Sequence, residues 1–230
     1  MKILIVSQYF WPENFRINDL TEHFVKSGNK VEVLTGKPNY PIGKLFKQYK
    51  KNSKNFRNYK GAKIHRIPML LRGGGSKIEL FFNYFSFLIS ALLYSYNNLR
   101  KKKYDVILTF GTSPLTVHFI AIFISYFTKS KLVLWVLDLW PDIVYELNII
   151  RSKIVKKILN VFVNFIYRST DIILAQSTFY KDEIEKITSN KNIKLFYSWP
   201  ENINYNEKNY SKDIKINKKN LNIMFTGNIG

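Results

Sequence analysis

Short apolar segments alternate with longer segments of helical character along most of this chain, and this alternation is the feature that most restricts its fold. Apolar runs typical of buried strands occupy residues 3–6, 31–35, 64–67, 105–110, 131–137, 172–175, 193–197 and 221–225. Helical spacing or apolar helical composition occupies residues 14–26, 80–99, 114–128, 152–168 and 179–187. Strands that alternate with helices predict an α/β fold with a doubly wound parallel sheet.

Two regions interrupt this alternation and define the predicted domain boundaries. Residues 36–62 contain prolines, glycines and a lysine-rich run, which we interpret as a long, mobile connection because it exceeds what packing requires. Residues 200–220 are rich in asparagine and lysine with little periodicity, as is typical of a linker. We therefore expect one domain over residues 1–199, a linker over residues 200–220 and the start of a truncated second domain at residues 221–230.

Composition excludes several kinds of site. The chain has no cysteine, which excludes disulfides and thiolate metal centres. Its three histidines, His23, His65 and His118, lack the spacing of zinc ligands, so we expect no metal site. The N-terminal apolar run is too short for the core of a signal peptide and favours a buried first strand.

Positive charge is concentrated in the first half of the chain. The net charge is +20, and residues 1–104 carry 20 basic and 5 acidic residues, whereas residues 105–230 carry 16 and 11. No acidic residue lies between Glu32 and Glu79, where 12 lysines and arginines occur. Such a field attracts nucleic acid, anionic lipid or a phosphorylated substrate. A general preference for surface lysine explains the total better than it explains this asymmetry.

The loop after the first predicted strand, residues 7–16, combines three consecutive aromatic residues at positions 9–11 with polar side chains. Ligands of parallel sheets bind at the carboxyl ends of the strands. Aromatic faces at this edge can cover a sugar ring, while Glu13, Asn14 and Arg16 bind hydroxyls or phosphate. The alternative is a structural loop in which Asn14 caps the following helix.

Two further loops follow predicted strands. Asn39 and Tyr40 lie in a turn-rich loop after the second strand. The functional interpretation places them at the border of an acceptor site, but ordinary turn formation explains this sequence better when it is taken alone. Near the end of the chain, a turn of small residues follows a strand and permits backbone N–H groups to approach a diphosphate. Its residues are Gly227, Asn228, Ile229 and Gly230.

Asp138 lies at the carboxyl end of an apolar strand, with Trp135 and Trp140 on either side and Asp142 four residues further on. A carboxylate in this position can accept a hydroxyl proton or bind a sugar hydroxyl. The alternative is an aspartate that caps a strand-to-helix turn. Tryptophans beside a carboxylate are typical of sugar binding, which favours the functional interpretation.

Residues 80–99 have about the length of a membrane-spanning helix, but Glu79 and several polar residues interrupt the apolar run. We interpret this helix as partly core and partly membrane-facing. The alternative is a helix that covers the parallel sheet and belongs entirely to the core.

Four segments, in the expected order, resemble glycosyltransferase family 4 and in particular its L-fucosamine transferase-like branch, found in O-antigen and capsule clusters. These segments are residues 9–19, 34–41, 83–87 and 138–142. The last of them, Asp-Leu-Trp-Pro-Asp, is the most specific. The resemblance covers the whole chain.

The resemblance implies a GT-B fold, in which two Rossmann-like domains face a cleft and the N-terminal one binds the acceptor. It implies a retaining transfer, without metal or cofactor, from a nucleotide-sugar to a lipid-diphosphate-linked saccharide in lipopolysaccharide or capsule biosynthesis. The donor is expected to be a UDP-activated N-acetylated deoxy sugar. The expected location is the inner face of the plasma membrane, with no nucleic-acid partner. By position, Asp138 is the acidic residue near the reacting centre, and residues 227–230 approach the donor phosphates.

The chain departs from the family pattern at several positions. Asn14 and Phe15 stand where many members have a glycine-rich turn, and Leu137 stands where many have histidine. The Glu-x7-Glu donor motif of the family is expected beyond Gly230, so the chain alone is expected to be inactive. Two other functions stay open, a basic nucleic-acid- or membrane-binding module without catalysis and a GT-B-type sugar-nucleotide epimerase.

Overall fold

The computed structural model describes residues 1–142, 145, 152–189 and 192–199, and the structural statements below refer to these residues. The strands are β1 (Lys2–Val6), β2 (Lys30–Thr35), β3 (Asn58–Tyr59), β4 (Ala62–Arg66), β5 (Val106–Gly111), β6 (Lys131–Val136), β7 (Ile172–Ala175) and β8 (Ile193–Leu195). The helices are α1 (Arg16–Lys26), α2 (Lys47–Lys51), α3 (Lys77–Asn98), α4 (Thr116–Thr128), α5 (Lys153–Arg168) and α6 (Thr178–Ile187). The linker and the second domain predicted for residues 200–230, with the predicted strand at residues 221–225, lie outside the described residues.

All described strands belong to one sheet in the order β3-β4-β2-β1-β5-β6-β7-β8. Neighbouring strands are parallel except for the short β3–β4 pair. Together with the flanking helices, this sheet confirms the predicted α/β fold. β1 pairs with β2 on one side and with β5 on the other, so the strand order reverses there. The carboxyl ends of β1 and β5 therefore flank the crevice where open parallel sheets bind ligands.

The core lies between the sheet and its helices. Leu4, Val6 and Ile107 of the sheet pack in one cluster with Phe87 of α3 and Ile120 of α4. A second cluster joins β6 and β7 to α5 and α6 through residues including Val136, Ile173, Val163 and Ile184. Each fully buried side chain of this size contributes about 1.5–3 kcal/mol. This packing holds the strand ends, and hence the loops that follow them, in fixed relative positions.

Residues 36–62 are folded, which corrects the prediction of a mobile connection. They contain α2, a 3-10 helix (Ser53–Arg57) and β3. Tyr49 and Phe56 are buried, and their ring centroids lie 5.4 Å apart. Trp11 packs on Phe56 at 4.8 Å. Periodicity did not reveal these elements because each has five residues or fewer, and their packing depends on contacts distant in sequence.

α3 contacts the rest of the domain through a narrow stripe. Its buried residues, Asn83, Phe87, Ala91 and Ser95, recur every four positions. Among the described residues it is the one helix long and apolar enough to cross a membrane. Only 22% of its most apolar stretch is buried in the domain. The predicted core-facing side is thus present, and most of the remaining apolar surface is exposed. The exposed apolar residues of α3 are Ile78, Phe81, Phe82, Phe85, Ile89, Leu93 and Tyr96.

Candidate functional site

The loops after β1, β2, β5 and β6 all leave the carboxyl edge of the sheet, because these strands are parallel. The predicted site residues Glu13, Asn39 and Asp138 lie in three of these loops. The sheet therefore brings to one edge side chains that are about 100 residues apart in the sequence.

Asp138 is half-buried, and its carboxylate is held by the loop after β5. The backbone N–H of Ser113 donates to its Oδ2 atom at 2.6 Å. Its own N–H donates to the carbonyl oxygen of Gly111 at 3.4 Å. Within the part of the chain that the structure describes, no donor contacts the other carboxylate oxygen. That oxygen is available for a ligand hydroxyl.

The turn that carries Asp138 is anchored from several directions. The indole N–H of Trp140 donates to the Ser113 hydroxyl at 3.2 Å, and the Tyr167 hydroxyl donates to the Trp140 carbonyl at 3.3 Å. The side-chain amide of Gln176 donates to the Leu137 carbonyl at 3.1 Å. Three different elements thus fix the carboxylate, which is the preorganisation that a catalytic or binding group requires.

Trp135 does not contribute a sugar-binding face, which corrects one argument made from the sequence. Its side chain is fully buried. The ring packs edge-on against Phe110 at 5.3 Å and Phe196 at 5.1 Å. Trp135 lies inside β6, where both faces of the parallel sheet are covered. Trp140, in the loop beyond the strand, is half-buried and stays beside Asp138.

Glu13 is a buried carboxylate that joins two loops. Its Oε1 atom accepts the backbone N–H groups of Asn39 and Tyr40, both at 2.7 Å, and its Oε2 atom accepts that of Phe10 at 3.0 Å. Burial raises the pKa of Glu13 to about 7, while these N–H donors and the charge of Arg66 act in the opposite direction. Because both of its carboxylate oxygens accept backbone hydrogen bonds, Glu13 connects the loop after β1 to the loop after β2.

Asn39 is also buried and extends this connection. Its side-chain oxygen accepts the backbone N–H of Arg72 at 3.0 Å, and its side-chain N–H donates to the Lys37 carbonyl at 2.8 Å. Glu13, Asn39 and Arg72 therefore form a continuous path from the loop after β1 to the segment before α3. The predicted acceptor-binding residues Glu13 and Asn39 act on that segment through hydrogen bonds.

Asn14 and Arg16 lie at the surface end of the same loop. α1 begins at Arg16 with Phe15 as its N-cap, so Asn14 is not the capping residue. The Arg16 guanidinium lies 3.5 Å from the carboxylate of Asp19. Asn18, which the sequence did not single out, closes the loop instead: its side chain accepts the Trp11 N–H at 3.1 Å and donates to the Glu13 carbonyl at 2.7 Å.

The aromatic surface at this edge differs from the predicted one. Phe10 and Tyr9 are buried, and Trp11 packs toward residues 56–59. Phe15 and Tyr40 are half-buried, and their ring centroids lie 5.2 Å apart. These rings are available to a ligand at the edge, whereas those of Tyr9 and Phe10 are buried.

Arg72 is a functional candidate that the sequence did not single out, because it precedes a run of three glycines. Its guanidinium lies 5.0 Å from the Tyr40 ring centroid. Its charge also acts on the half-buried Tyr84, whose pKa is raised by burial and by Asp138 and lowered by Arg72. The edge thus combines a cation and a carboxylate with three tyrosines, namely Arg72, Asp138, Tyr9, Tyr40 and Tyr84.

Asp142 belongs to a cavity whose described lining does not include Asp138. This cavity measures about 370 Å³, and its wall comes from the chain after β6, from α5 and from α6. The other lining residues are Pro141, Tyr145, Asn160, Asn164, Glu183 and Ile187. Residues 227–230, predicted to bind the donor, lie outside the described residues. The described residues hold no group of three or more metal-ligating side chains.

The comparisons identify a fold. No protein-family model matches the sequence, and no curated protein matches it. Calicheamicin glycosyltransferase CalG4 has a similar structure, with a TM-score of 0.51 and 9% identity over 85% of this chain and 52% of that one. HepE from Anabaena, solved with UDP and glucose, has a TM-score of 0.48, with 12% identity over 86% of this chain and 44% of that one.

A third similar structure is the apo form of the lipopolysaccharide outer core galactosyltransferase WaaB, with a TM-score of 0.45 and 14% identity over 86% of this chain and 45% of that one. This chain therefore spans about half the length of the structures it matches. The similarity to CalG4 gives this chain the fold of one Rossmann-like domain of the GT-B glycosyltransferases.

Proposed function

We propose that this chain is the acceptor-binding half of a retaining glycosyltransferase of family 4, in its L-fucosamine transferase-like branch. The enzyme transfers an N-acetylated deoxy sugar from a UDP donor to a lipid-diphosphate-linked saccharide during surface polysaccharide synthesis. The GT-B fold and the four sequence segments support this proposal. The observation that carries it is the Asp138 carboxylate, anchored by Ser113 at the ligand edge with one oxygen available.

In this reaction the acceptor hydroxyl forms a bond to the anomeric carbon of the donor, and the bond from that carbon to UDP breaks. UDP leaves with the electron pair. The hydroxyl hydrogen-bonds to the available oxygen of Asp138, and the carboxylate takes the proton or stabilises its departure. The rings of Tyr40 and Trp140 border the acceptor sugar, with Arg16 and Asn14 at the outer end of the loop.

A peripheral position on the inner face of the plasma membrane belongs to the same proposal. The exposed apolar side of α3 and the excess of basic residues in residues 1–104 support it. Each lysine or arginine near an anionic bilayer contributes about 1 kcal/mol. Lys101 and Lys103, shortly after the end of α3, are exposed and extend the basic surface.

The test is transfer of labelled sugar from UDP-N-acetyl sugars to a prenyl-diphosphate-linked saccharide, with the product configuration read by NMR. We expect an α-linked product from an α-configured donor in the natural protein that carries this chain. Conversion of the UDP-sugar to an epimer without acceptor would identify an epimerase. Salt-sensitive binding to duplex DNA without sugar transfer would identify a nucleic-acid-binding module.

A further inference from the structure

Arg72 is a half-buried cation at the ligand edge, and no carboxylate among the described residues pairs with it. Ion pairs in the described residues involve other cations, such as Arg16 with Asp19 and Lys102 with Glu32. None of those pairs includes Arg72. A guanidinium that is partly removed from water and lacks a carboxylate is suited to bind an external anion.

The position of Arg72 is fixed before any ligand binds. Its guanidinium stacks on Tyr40, and its backbone N–H is held by the buried Asn39. It lies close enough to the Tyr9 hydroxyl to lower the pKa of that group against the effect of burial. Gly43 has a φ of +74°, and a Cβ atom there would lie 1.6 Å from the carbonyl oxygen of Gly73. The two loops are therefore in backbone contact beside Arg72.

Arg72 lies on the same edge as the catalytic candidate. Arg72 precedes α3 at this edge, and its charge and that of Asp138 both act on the hydroxyl of Tyr84, so both groups lie near that hydroxyl. An acceptor that contacts both groups needs an anion at one end and a free hydroxyl at the other. A sugar phosphate or sugar diphosphate has this form.

The apolar surface of α3 begins next to Arg72. α3 connects the carboxyl end of β4 to the amino end of β5, so its first turns lie at the ligand edge. Phe81, Phe82 and Phe85 are exposed in these turns by 61%, 51% and 51%. The helix end itself is not an anion site, because the Ser76–Glu79 capping box occupies it.

We propose that Arg72 binds the phosphate of an acceptor in which a diphosphate joins a hydrocarbon chain to a sugar. The hydrocarbon lies along the exposed start of α3, the phosphate contacts the Arg72 guanidinium and the sugar extends toward Asp138. The part of this assignment that involves Asp138 rests on the proposed function. Arg72 is thus a residue that determines acceptor specificity.

The test is calorimetric titration of the chain with farnesyl diphosphate, a soluble molecule that carries both features. Hydrogen bonds to charged groups contribute about 1.5–3 kcal/mol, so Arg72→Gln is expected to raise the Kd by about 10-fold or more. Arg72→Lys keeps the charge but loses the planar guanidinium, so its Kd is expected to lie between those of the natural chain and Arg72→Gln. Arg100→Gln is the matched control, because Arg100 stacks on Tyr96 at 4.0 Å near the other end of α3. Its Kd is expected to equal that of the natural chain.

Three further ligands separate the possible sources of the phosphate. Farnesol, without phosphate, and inorganic pyrophosphate, without hydrocarbon, are both expected to bind more weakly than farnesyl diphosphate. Binding of farnesyl diphosphate that Arg72→Gln and Arg72→Lys leave unchanged would overturn the proposal, as would equal binding of farnesol. An equal loss of binding to phosphatidylglycerol vesicles would assign Arg72 to the bilayer surface and also overturn it.

The transfer assay distinguishes failure of this inference from failure of the proposed function. Arg72-dependent binding of farnesyl diphosphate without any sugar transfer would leave the phosphate site standing and reject the transferase. Sugar transfer with an acceptor KM that Arg72→Gln leaves unchanged would support the transferase and reject the phosphate site.

Discussion

The backbone N–H of Ser113 donates to the Asp138 carboxylate at 2.6 Å and so joins the loop after β5 to the loop after β6. Asp105 makes a bond of the same kind and length with the N–H of Lys2 at the opposite edge of the sheet. Two aspartates with equal hydrogen bonds thus occupy the ligand edge and the amino edge. This pair permits the catalytic contribution of a carboxylate to be separated from its structural one.

Asp138→Asn is expected to lower kcat by about 100-fold or more, because positioned acid–base groups contribute about 100- to 10,000-fold. The asparagine oxygen still accepts the Ser113 N–H, so the melting temperature should stay near that of the natural protein. Turnover and thermal unfolding are measured on one preparation. Asp105→Asn is the control and should keep kcat. A kcat near normal for Asp138→Asn would reject the catalytic role.

Gly43→Ala is expected to raise the acceptor KM, because the added Cβ meets the Gly73 carbonyl oxygen and displaces the segment that carries Arg72. Gly28→Ala is the matched control, since Gly28 has a similar φ of +79° but no atom within 4 Å of the added Cβ. Both changes place alanine in a left-handed conformation at a cost of about 1 kcal/mol. Only Gly43→Ala should affect the acceptor. Equal KM values for the two variants would contradict the contact as a determinant of the site.

His118 is expected to lower the stability of the protein in acid, whereas Glu13, whose pKa burial raises to about 7, acts in the opposite direction. His118 is fully buried between the hydroxyls of Thr109 and Thr170, each 2.8 Å from a ring nitrogen, and burial lowers its pKa to about 3. In the unfolded chain this histidine binds a proton with a pKa near 6.5. The stability that neutral His118 contributes is therefore fully present above that pH and is lost as pH falls toward 3. At pH 5 the loss is about 2 kcal/mol.

Urea unfolding of the natural chain and of His118→Gln at pH 7.5 and pH 5 measures this contribution. The variant is expected to lose less stability between the two values, although it starts from a lower one. Parallel curves for the two proteins would show that other groups cause the acid sensitivity.

The double variant Phe81→Glu, Phe85→Glu is expected to reduce flotation with phosphatidylglycerol vesicles by about 10-fold or more. Each phenylalanine that enters the bilayer contributes about 1.5–3 kcal/mol, and the added carboxylates are repelled by anionic lipid. Both side chains are exposed, so the fold should change little. Ile158→Glu on the exposed side of α5 is the control and should float normally. If Ile158→Glu loses binding and the double variant does not, α5 is the membrane-facing helix.

Much of the fold could be predicted from local patterns. The apolar runs of β1 and β6 and the helical spacing of α1 and α5 lie within about two residues of the observed elements. Placement of Asp138 and Glu13 at one edge also followed, because parallel strands end on the same side. The aromatic packing of residues 36–62 could not be predicted in this way, because Tyr49, Phe56 and Trp11 make contacts that do not appear in any local sequence pattern.

The sequence by itself determined a parallel α/β sheet and the loops that carry its polar side chains, because strand and helix periodicity are properties of neighbouring residues. Tertiary structure decided which of these side chains face a ligand. It buried Trp135 and Glu13, and it held Arg72 beside Tyr40 through Asn39. The physical reason is that burial and hydrogen bonding join residues that are far apart in the sequence, 103 positions for Lys2 and Asp105, and only the packed chain brings such residues within bonding distance.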